Sequence, residues 1–212
     1  MRTQVRSLRS ALLKLSLVCV SLPSWTCGGE PGGSPRDAGR DYPLDPQIVF
    51  WDELQSLCGQ AFRGRLVESD PPDDELEGGP MVMHVRACDV AEVRIPFFVG
   101  DDRSRTWIVA TTGAGLRLEH EHRHEDGSEE DLSGYGGETR GPGTATVQEF
   151  PANARTGELA PAAADNVWTL ELHPDSLFVY ALRREGTDRR VRMEFDLTRP
   201  VDPPPAPWAP DP

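Results

Sequence analysis

Three histidines stand at every second position of one segment, His120, His122 and His124. Because side chains alternate along a β-strand, the three imidazoles would share a face, with neighbours about 6.8 Å apart. Imidazole is the commonest metal ligand in proteins and the usual general base in enzymes. The pattern therefore predicts one of three chemistries: a zinc or copper site, a polar wall of a ligand cavity, or general bases of a hydrolase or isomerase.

The residues around the histidines favour an inward-facing wall. Leu116 and Leu118 have the same strand parity as the histidines, whereas Glu119 and Glu121 have the opposite parity. A metal site would need a bend at the end of this strand and offers no identifiable distant ligand, and a purely structural role stays open. The candidate ligand-binding residues are His120, His122, His124, Trp107 in a neighbouring strand and Tyr135, which we expect to fold over a cavity mouth.

Motifs of the common enzyme classes are missing from the sequence. It contains no Gly-x-Ser-x-Gly, no His-Glu-x-x-His, no phosphate-binding glycine loop and no Cys–His signature. Carboxylates are so frequent in this chain that a pair of them does not indicate an active site. The sequence favours a non-catalytic role, either in binding a small ligand or as a structural protein of the cell envelope. No catalytic residue is predicted, and no cofactor apart from the zinc or copper of the metal alternative.

One helix should precede the strands. Asp45 can cap it, Pro46 suits its first position, and Gly59 is a natural residue to end it. Between them, apolar residues recur at intervals of three and four, which predicts an amphipathic helix. The residues of this stripe are Phe50, Trp51, Leu54, Leu57, Cys58 and Ala61.

After the helix the apolar period changes to two, and Gly, Pro and Asp separate the alternating segments. Many short alternating strands joined by tight turns predict an all-β antiparallel meander. About nine such strands, each with one apolar face, close into a barrel or a sandwich. The predicted strands are 61–68, 81–88, 91–99, 105–112, 115–124, 144–150, 166–173, 177–184 and 189–197.

A family resemblance supports the barrel. The segment LCGQAFRG at 57–64, which follows the helix and opens the meander, resembles the L-x-G-x-W-x-G opening of lipocalin-like (calycin-type) barrels, with Phe62 in place of the tryptophan. The stretch 120–137 is similar to segments of uncharacterised bacterial secreted proteins. The lipocalin-like resemblance implies a cavity for a small ligand inside the barrel, without naming that ligand.

The first 26 residues predict export. Four basic residues precede a short apolar stretch, 15–22, which is too short to cross a bilayer because a spanning helix needs about 20 apolar residues. A basic region followed by a short apolar region is typical of a cleaved signal peptide, 1–26. A retained interfacial helix is the alternative.

The end of the signal resembles that of bacterial lipoproteins. Ser24-Trp25-Thr26 leads into Cys27, and a Gly- and Pro-rich tether, 27–44, follows. This resemblance implies lipidation of Cys27, with a lipid anchor as the only membrane attachment; plain secretion is the alternative. An acidic residue directly after the lipidated cysteine retains bacterial lipoproteins at the inner membrane, and this chain has Gly28 at that position. We therefore expect a periplasmic or outer-membrane lipoprotein, or a secreted protein.

Charge and cysteine content complete the predicted organisation. The formal net charge of −13 disfavours binding to nucleic acid. Cys58 and Cys88 form an even pair in an oxidising compartment, which favours a disulfide over two buried thiols. The barrel domain should occupy 45–198, and 199–212, with seven prolines, should be a disordered tail.

Overall fold

The computed structural model describes residues 44–73 and 76–208. The predicted signal peptide, Cys27 and the tether up to residue 43 lie outside the described residues, as do the last four residues of the tail. The described chain is mainly β-structure. Its elements are α1 (Pro46–Ser56), β1 (Ala61–Asp70), β2 (Met81–His84), β3 (Ala87–Cys88), β4 (Glu92–Val99), β5 (Asp102–Thr112), β6 (Gly115–His122), β7 (Tyr135–Glu138), β8 (Val147–Pro151), α2 (Ala154–Leu159), a 3-10 turn (Pro161–Ala163), β9 (Asn166–His173), β10 (Leu177–Arg184) and β11 (Arg190–Val201).

Helix α1 confirms the prediction of a short helix before the strands. The Asp45 carboxylate accepts a hydrogen bond from the Gln47 backbone N–H at 2.9 Å, and Pro46 is the first helical residue. Gly59 follows the helix with φ of +83°, a conformation that costs glycine little. The apolar stripe of α1 packs into the core, with Phe50 and Leu54 fully buried.

The strands form one antiparallel sheet of eleven strands in the order β7-β6-β5-β4-β2-β1-β11-β10-β9-β8, with β3 paired to β4. The outer strands β7 and β8 meet through a bridge between Gly137 and Ala152, so the sheet is a nearly closed barrel. This confirms the all-β meander. Two differences raise the number of strands from nine: the predicted strand 81–88 is divided into β2 and β3, and Tyr135 lies in an unpredicted strand, β7.

Closure of the barrel depends on Gly136, Gly137 and Thr156. The buried Thr156 hydroxyl in α2 accepts a hydrogen bond from the Gly136 N–H at 2.7 Å and donates one to the Gly136 carbonyl at 2.5 Å. A Cβ at Gly136 would overlap the Leu118 carbonyl, and one at Gly137 would overlap the Pro151 carbonyl. Gly136 therefore allows β7 to lie close against β6, Gly137 allows the outer strands β7 and β8 to approach, and α2 covers the junction.

The end of the barrel next to α1 is filled by apolar side chains. A disulfide between Cys58 and Cys88 joins the segment after α1 to β3, with a Cα–Cα distance of 6.2 Å, and so fixes the helix against the barrel. The largest fully buried side chains here are Phe50, Leu54, Phe62, Phe150, Phe178, Phe195 and Leu170.

The C-terminal segment differs from the predicted tail. Strand β11 continues to Val201, where it pairs with Ala61 of β1, because sheet pairing with β1 extends beyond the alternating apolar segment that ends at Leu197. Further along, the Trp208 backbone N–H donates to the Arg103 carbonyl at 3.1 Å. Neither helix in the described ranges has the length and apolar character needed to cross a membrane.

We expect Thr156→Val to lower the free energy of unfolding by about 1–3 kcal/mol, because it removes the hydroxyl that pairs with the buried backbone of Gly136. Urea unfolding measures this change. Thr111→Val is the matched control: Thr111 is exposed in β5, so the same exchange should change stability by no more than about 0.5 kcal/mol. Equal effects of the two variants would contradict the role of Thr156 in closing the barrel.

Candidate functional site

The end of the barrel opposite α1 contains a cavity, and strand register determines its layers. In β5 and β6, Trp107 pairs with His120 and Arg105 pairs with His122. In β9 and β10, Trp168 pairs with Leu182 and Asn166 pairs with Arg184, again two positions apart. Because inward-facing residues alternate along each strand, one set of pairs forms a deep layer and the next set forms the mouth. The deep layer is Trp107, His120, Trp168 and Leu182; the mouth layer is Arg105, His122, Asn166 and Arg184.

The cavity has a volume of about 360 Å³. This lies at the lower end of the range of about 300–1,000 Å³ found for small-molecule sites. Aromatic rings form much of its wall, and Ala160, between α2 and the 3-10 turn, and Ala163, in that turn, also line it. The aromatic residues of the wall are Phe97, Trp107, Tyr135, Trp168 and Tyr180.

The aromatic wall is built from stacked rings. Trp107 lies between Tyr180 and Phe97, with ring centroids 4.4 and 4.8 Å apart and interplanar angles of 8° and 13°. On the other side, His120 stacks on Tyr135 at 4.8 Å and 7°. Each ring restricts the rotation of its neighbour, so the wall has its shape before any ligand arrives.

His120 is held in a defined tautomer. Its Nδ1 lies 3.3 Å from the Tyr135 carbonyl oxygen, which can only accept, so Nδ1 carries the proton. Its Nε2 therefore accepts a hydrogen bond from the Tyr180 hydroxyl, at 2.8 Å. Burial, with a smaller contribution from the nearby His122, lowers the pKa of His120 to about 3. The imidazole is consequently neutral at physiological pH, with both nitrogens engaged.

Tyr180 completes this buried pair. Burial is the main cause that raises the pKa of the Tyr180 hydroxyl well above its ordinary value, and the proximity of Tyr135 adds to it. A hydrogen bond with the Trp168 side chain acts in the opposite direction. Tyr180 therefore keeps its proton and donates it to His120.

His122 lies nearer the mouth than His120. Its Nε2 is 3.2 Å from the Tyr135 hydroxyl, and its backbone N–H donates to the Ser133 hydroxyl at 3.1 Å. Tyr135 thus contacts both histidines, His120 through its ring and backbone carbonyl and His122 through its hydroxyl. These three residues form one continuous polar strip along the cavity wall.

Three arginines line the mouth, Arg105, Arg184 and Arg189. Arg105 forms an ion pair with Asp102. Arg189 forms one with Asp73 at 3.2 Å. Two of the three positive charges are thus matched by carboxylates of the protein.

Arg184 is bound differently. Its Nε donates to the Asn166 side-chain oxygen at 2.9 Å, and in the described part of the chain it has no carboxylate partner. Sequence reasoning missed Arg184 and Asn166, although a signal was present. Arg184 has the same parity as Tyr180 and Leu182 in the predicted strand 177–184, which places a charged side chain on an apolar, inward face.

The structure brings four of the five predicted ligand-binding residues together around the cavity: His120, His122, Trp107 and Tyr135. The fifth, His124, follows the end of β6, is exposed and does not line the cavity. The aromatic residues Phe97, Trp168 and Tyr180 belong to the site as well; all three lie in predicted strands but are not among the predicted ligand-binding residues.

No group of three or more His, Cys, Asp or Glu side chains within the described ranges is arranged to hold a metal ion. His120 would have to give up its hydrogen bond to Tyr180 before Nε2 could bind one. His124 is exposed beyond the end of β6 and does not share the cavity with His120 and His122.

Comparison with known proteins gives no further guide to the site. No protein family, no curated protein and no solved structure matches the chain. The chemistry of the cavity must be inferred from its own residues.

We expect His120 to make stability depend on pH. Between pH 6.5 and about 3 an unfolded imidazole binds a proton that the folded His120 does not. The free energy of unfolding should therefore fall with decreasing pH across this window, by up to about 1.4 kcal/mol per unit from this residue. Urea unfolding at pH 7, 6, 5 and 4 measures it.

His120→Gln is the comparison for that experiment, because glutamine keeps one donor and one acceptor but does not titrate. The wild-type protein should lose stability relative to this variant as the pH falls, whereas carboxylates elsewhere affect both proteins equally. If the difference in the free energy of unfolding between the two proteins stays constant from pH 7 to pH 4, that result would contradict a neutral, buried His120.

Proposed function

We propose that the protein is an exported, non-catalytic carrier that binds a small aromatic or apolar ligand in the open end of its barrel. The observation that carries this proposal is the cavity of about 360 Å³ behind a wall of stacked aromatic rings. The opposite end of the barrel is packed with side chains and held by α1. Ligand would therefore enter and leave at the arginine-lined mouth.

The size of the cavity limits the ligand. An apolar cavity of about 150 Å³ is enough to hold benzene. A volume of about 360 Å³ thus accommodates two fused rings with a short substituent or one further ring, and excludes large lipids and tetrapyrroles from full enclosure.

The wall is prepared for such a ligand. The side-chain nitrogens of His120 already have protein partners, and Trp107 is fixed between two rings. A ligand would pay little for ordering these groups, and such preorganisation favours affinity. Trp107 and Trp168, both nearly fully buried beside the cavity, supply large flat apolar surfaces.

The state of His120 supports binding rather than catalysis. A general base works best with a pKa near the operating pH, and the pKa of His120 is lowered to about 3. The carboxylate that lines the cavity, Asp73, is paired with Arg189. These observations do not favour the hydrolase or isomerase alternative, and the zinc or copper alternative would require His120 to break its bond with Tyr180.

The lipocalin-like resemblance of the segment 57–64 agrees with a ligand-binding barrel, and we propose the calycin-type relationship on that ground. We also propose removal of residues 1–26 and lipidation at Cys27, on the sequence features described above. The protein would then act in the periplasm, at the outer membrane or outside the cell, attached to membrane through its lipid alone.

We expect purified protein to bind the neutral probe N-phenyl-1-naphthylamine with an increase in probe fluorescence. Leu182→Trp should weaken this binding at least about tenfold, because the larger side chain fills part of the cavity. Titration followed at the probe's own emission measures the effect.

Ala181→Trp is the matched control, since Ala181 neighbours Leu182 on β10 with the opposite parity. It should bind the probe as the wild-type protein does. Met193→Phe fills the cavity from β11. It provides a second test if urea titration shows that Leu182→Trp does not fold. Absence of probe binding to the wild type, or unchanged binding by both cavity-filling variants, would overturn the proposal.

A further inference from the structure

At the mouth of the cavity, one positive charge has no carboxylate partner among the residues that the structure describes. Arg184 lies on the inward side of β10 and lines the cavity. Arg184 is half-buried there, and withdrawing a guanidinium from water has a cost that a paired carboxylate reduces. Arg105 and Arg189 have such partners in Asp102 and Asp73, but no carboxylate of residues 44–73 and 76–208 pairs with Arg184.

The hydrogen bonds of Arg184 leave one side of its guanidinium group open. Of the five N–H donors that an arginine presents, the one on Nε is bound to the Asn166 side-chain oxygen at 2.9 Å. Asn166 is itself buried, so this bond fixes the plane of the guanidinium. The described residues offer no side-chain acceptor to the two terminal nitrogens, which are the pair that a carboxylate binds in bidentate geometry.

Two neighbouring arginines of the barrel differ from Arg184 because each is paired with carboxylates. Arg183, the next residue on β10, faces outward and pairs with Glu149 at 3.4 Å and Glu185 at 3.1 Å. Arg192, on β11, pairs with Glu171 at 2.8 Å. In a chain with a net charge of −13, acidic partners are abundant, and Arg184 nevertheless faces the cavity with an amide as its partner.

The position of Arg184 relative to the aromatic wall indicates which group a ligand would carry next to a carboxylate bound by Arg184. Arg184 pairs with Asn166, and the next inward pair along the same strands is Leu182 with Trp168. Inward positions two residues apart are separated by about 6.8 Å. A carboxylate held by Arg184 would therefore place a directly attached ring in the layer of Trp168 and Trp107.

We propose that the ligand is a planar aromatic carboxylate, with its carboxylate bound by the terminal nitrogens of Arg184 and its ring against Trp107 and Trp168. This inference rests on the proposed function, because it assigns a ligand class to the same cavity. Asn166 acts as a positioning residue that orients the guanidinium. The cation at the mouth also distinguishes such a ligand from a neutral arene of the same shape.

The test compares 2-naphthoate with its neutral isostere 2-naphthamide by calorimetric titration at pH 7. We expect the wild-type protein to bind naphthoate about ten- to a hundredfold more tightly, the range typical of hydrogen bonds to a charged group. Arg184→Gln should remove this preference by lowering the affinity for naphthoate about ten- to a hundredfold more than the affinity for naphthamide. Naphthamide binding reports directly whether the variant retains a folded cavity.

Arg183→Gln is the matched control: it removes a neighbouring, outward-facing charge and should keep the preference for naphthoate. Equal affinity of the wild type for the two ligands, or a preference that survives in Arg184→Gln, would overturn the inference while the proposed function stands. If N-phenyl-1-naphthylamine binds but neither naphthalene derivative does, the ligand class is wrong. If none of the three compounds binds, the proposed function itself fails.

Discussion

The contact between the first and last strands of the sheet is the constraint on which the rest of the structure depends. Strands β7 and β8 are short, and they approach each other because Gly137 has no side chain to separate the two backbones, while Gly136 allows β7 to lie close against β6. The Thr156 hydroxyl then binds both polar groups of the Gly136 backbone. A sheet left open here would expose two edges and would have no enclosed interior.

Once the sheet is closed, the inward-facing residues of each strand form a packed core at one end and line the cavity at the other. Strand β10 shows this directly: Phe178 lies in the packed end, Tyr180 in the aromatic wall and Arg184 at the mouth. Helix α1 fills and covers one end, and the disulfide between Cys58 and Cys88 holds it there. The cavity exists at the other end because aromatic rings that stack on each other line the wall without filling the centre.

The polar groups of this interior are matched in a way that suits a binding site. His120 and Tyr180 satisfy each other's hydrogen bonds, so their burial is tolerated and both stay neutral. Buried polar groups that are fully bonded give a wall a single arrangement. Arg184, which has no carboxylate partner within the described ranges, lies at the mouth, where we propose that a ligand neutralises it.

The sequence by itself determined the capped helix α1, the alternation of most strands and the inward face shared by His120 and His122. It did not predict β7, because Tyr135-Gly136-Gly137 lacks an alternating pattern, nor the extension of β11. Only the tertiary structure decided that β7 meets β8 and that His120 meets Tyr180, sixty positions away. Periodicity records which face of a strand is apolar, whereas closure of the ring decides which faces meet and how much space is left between them.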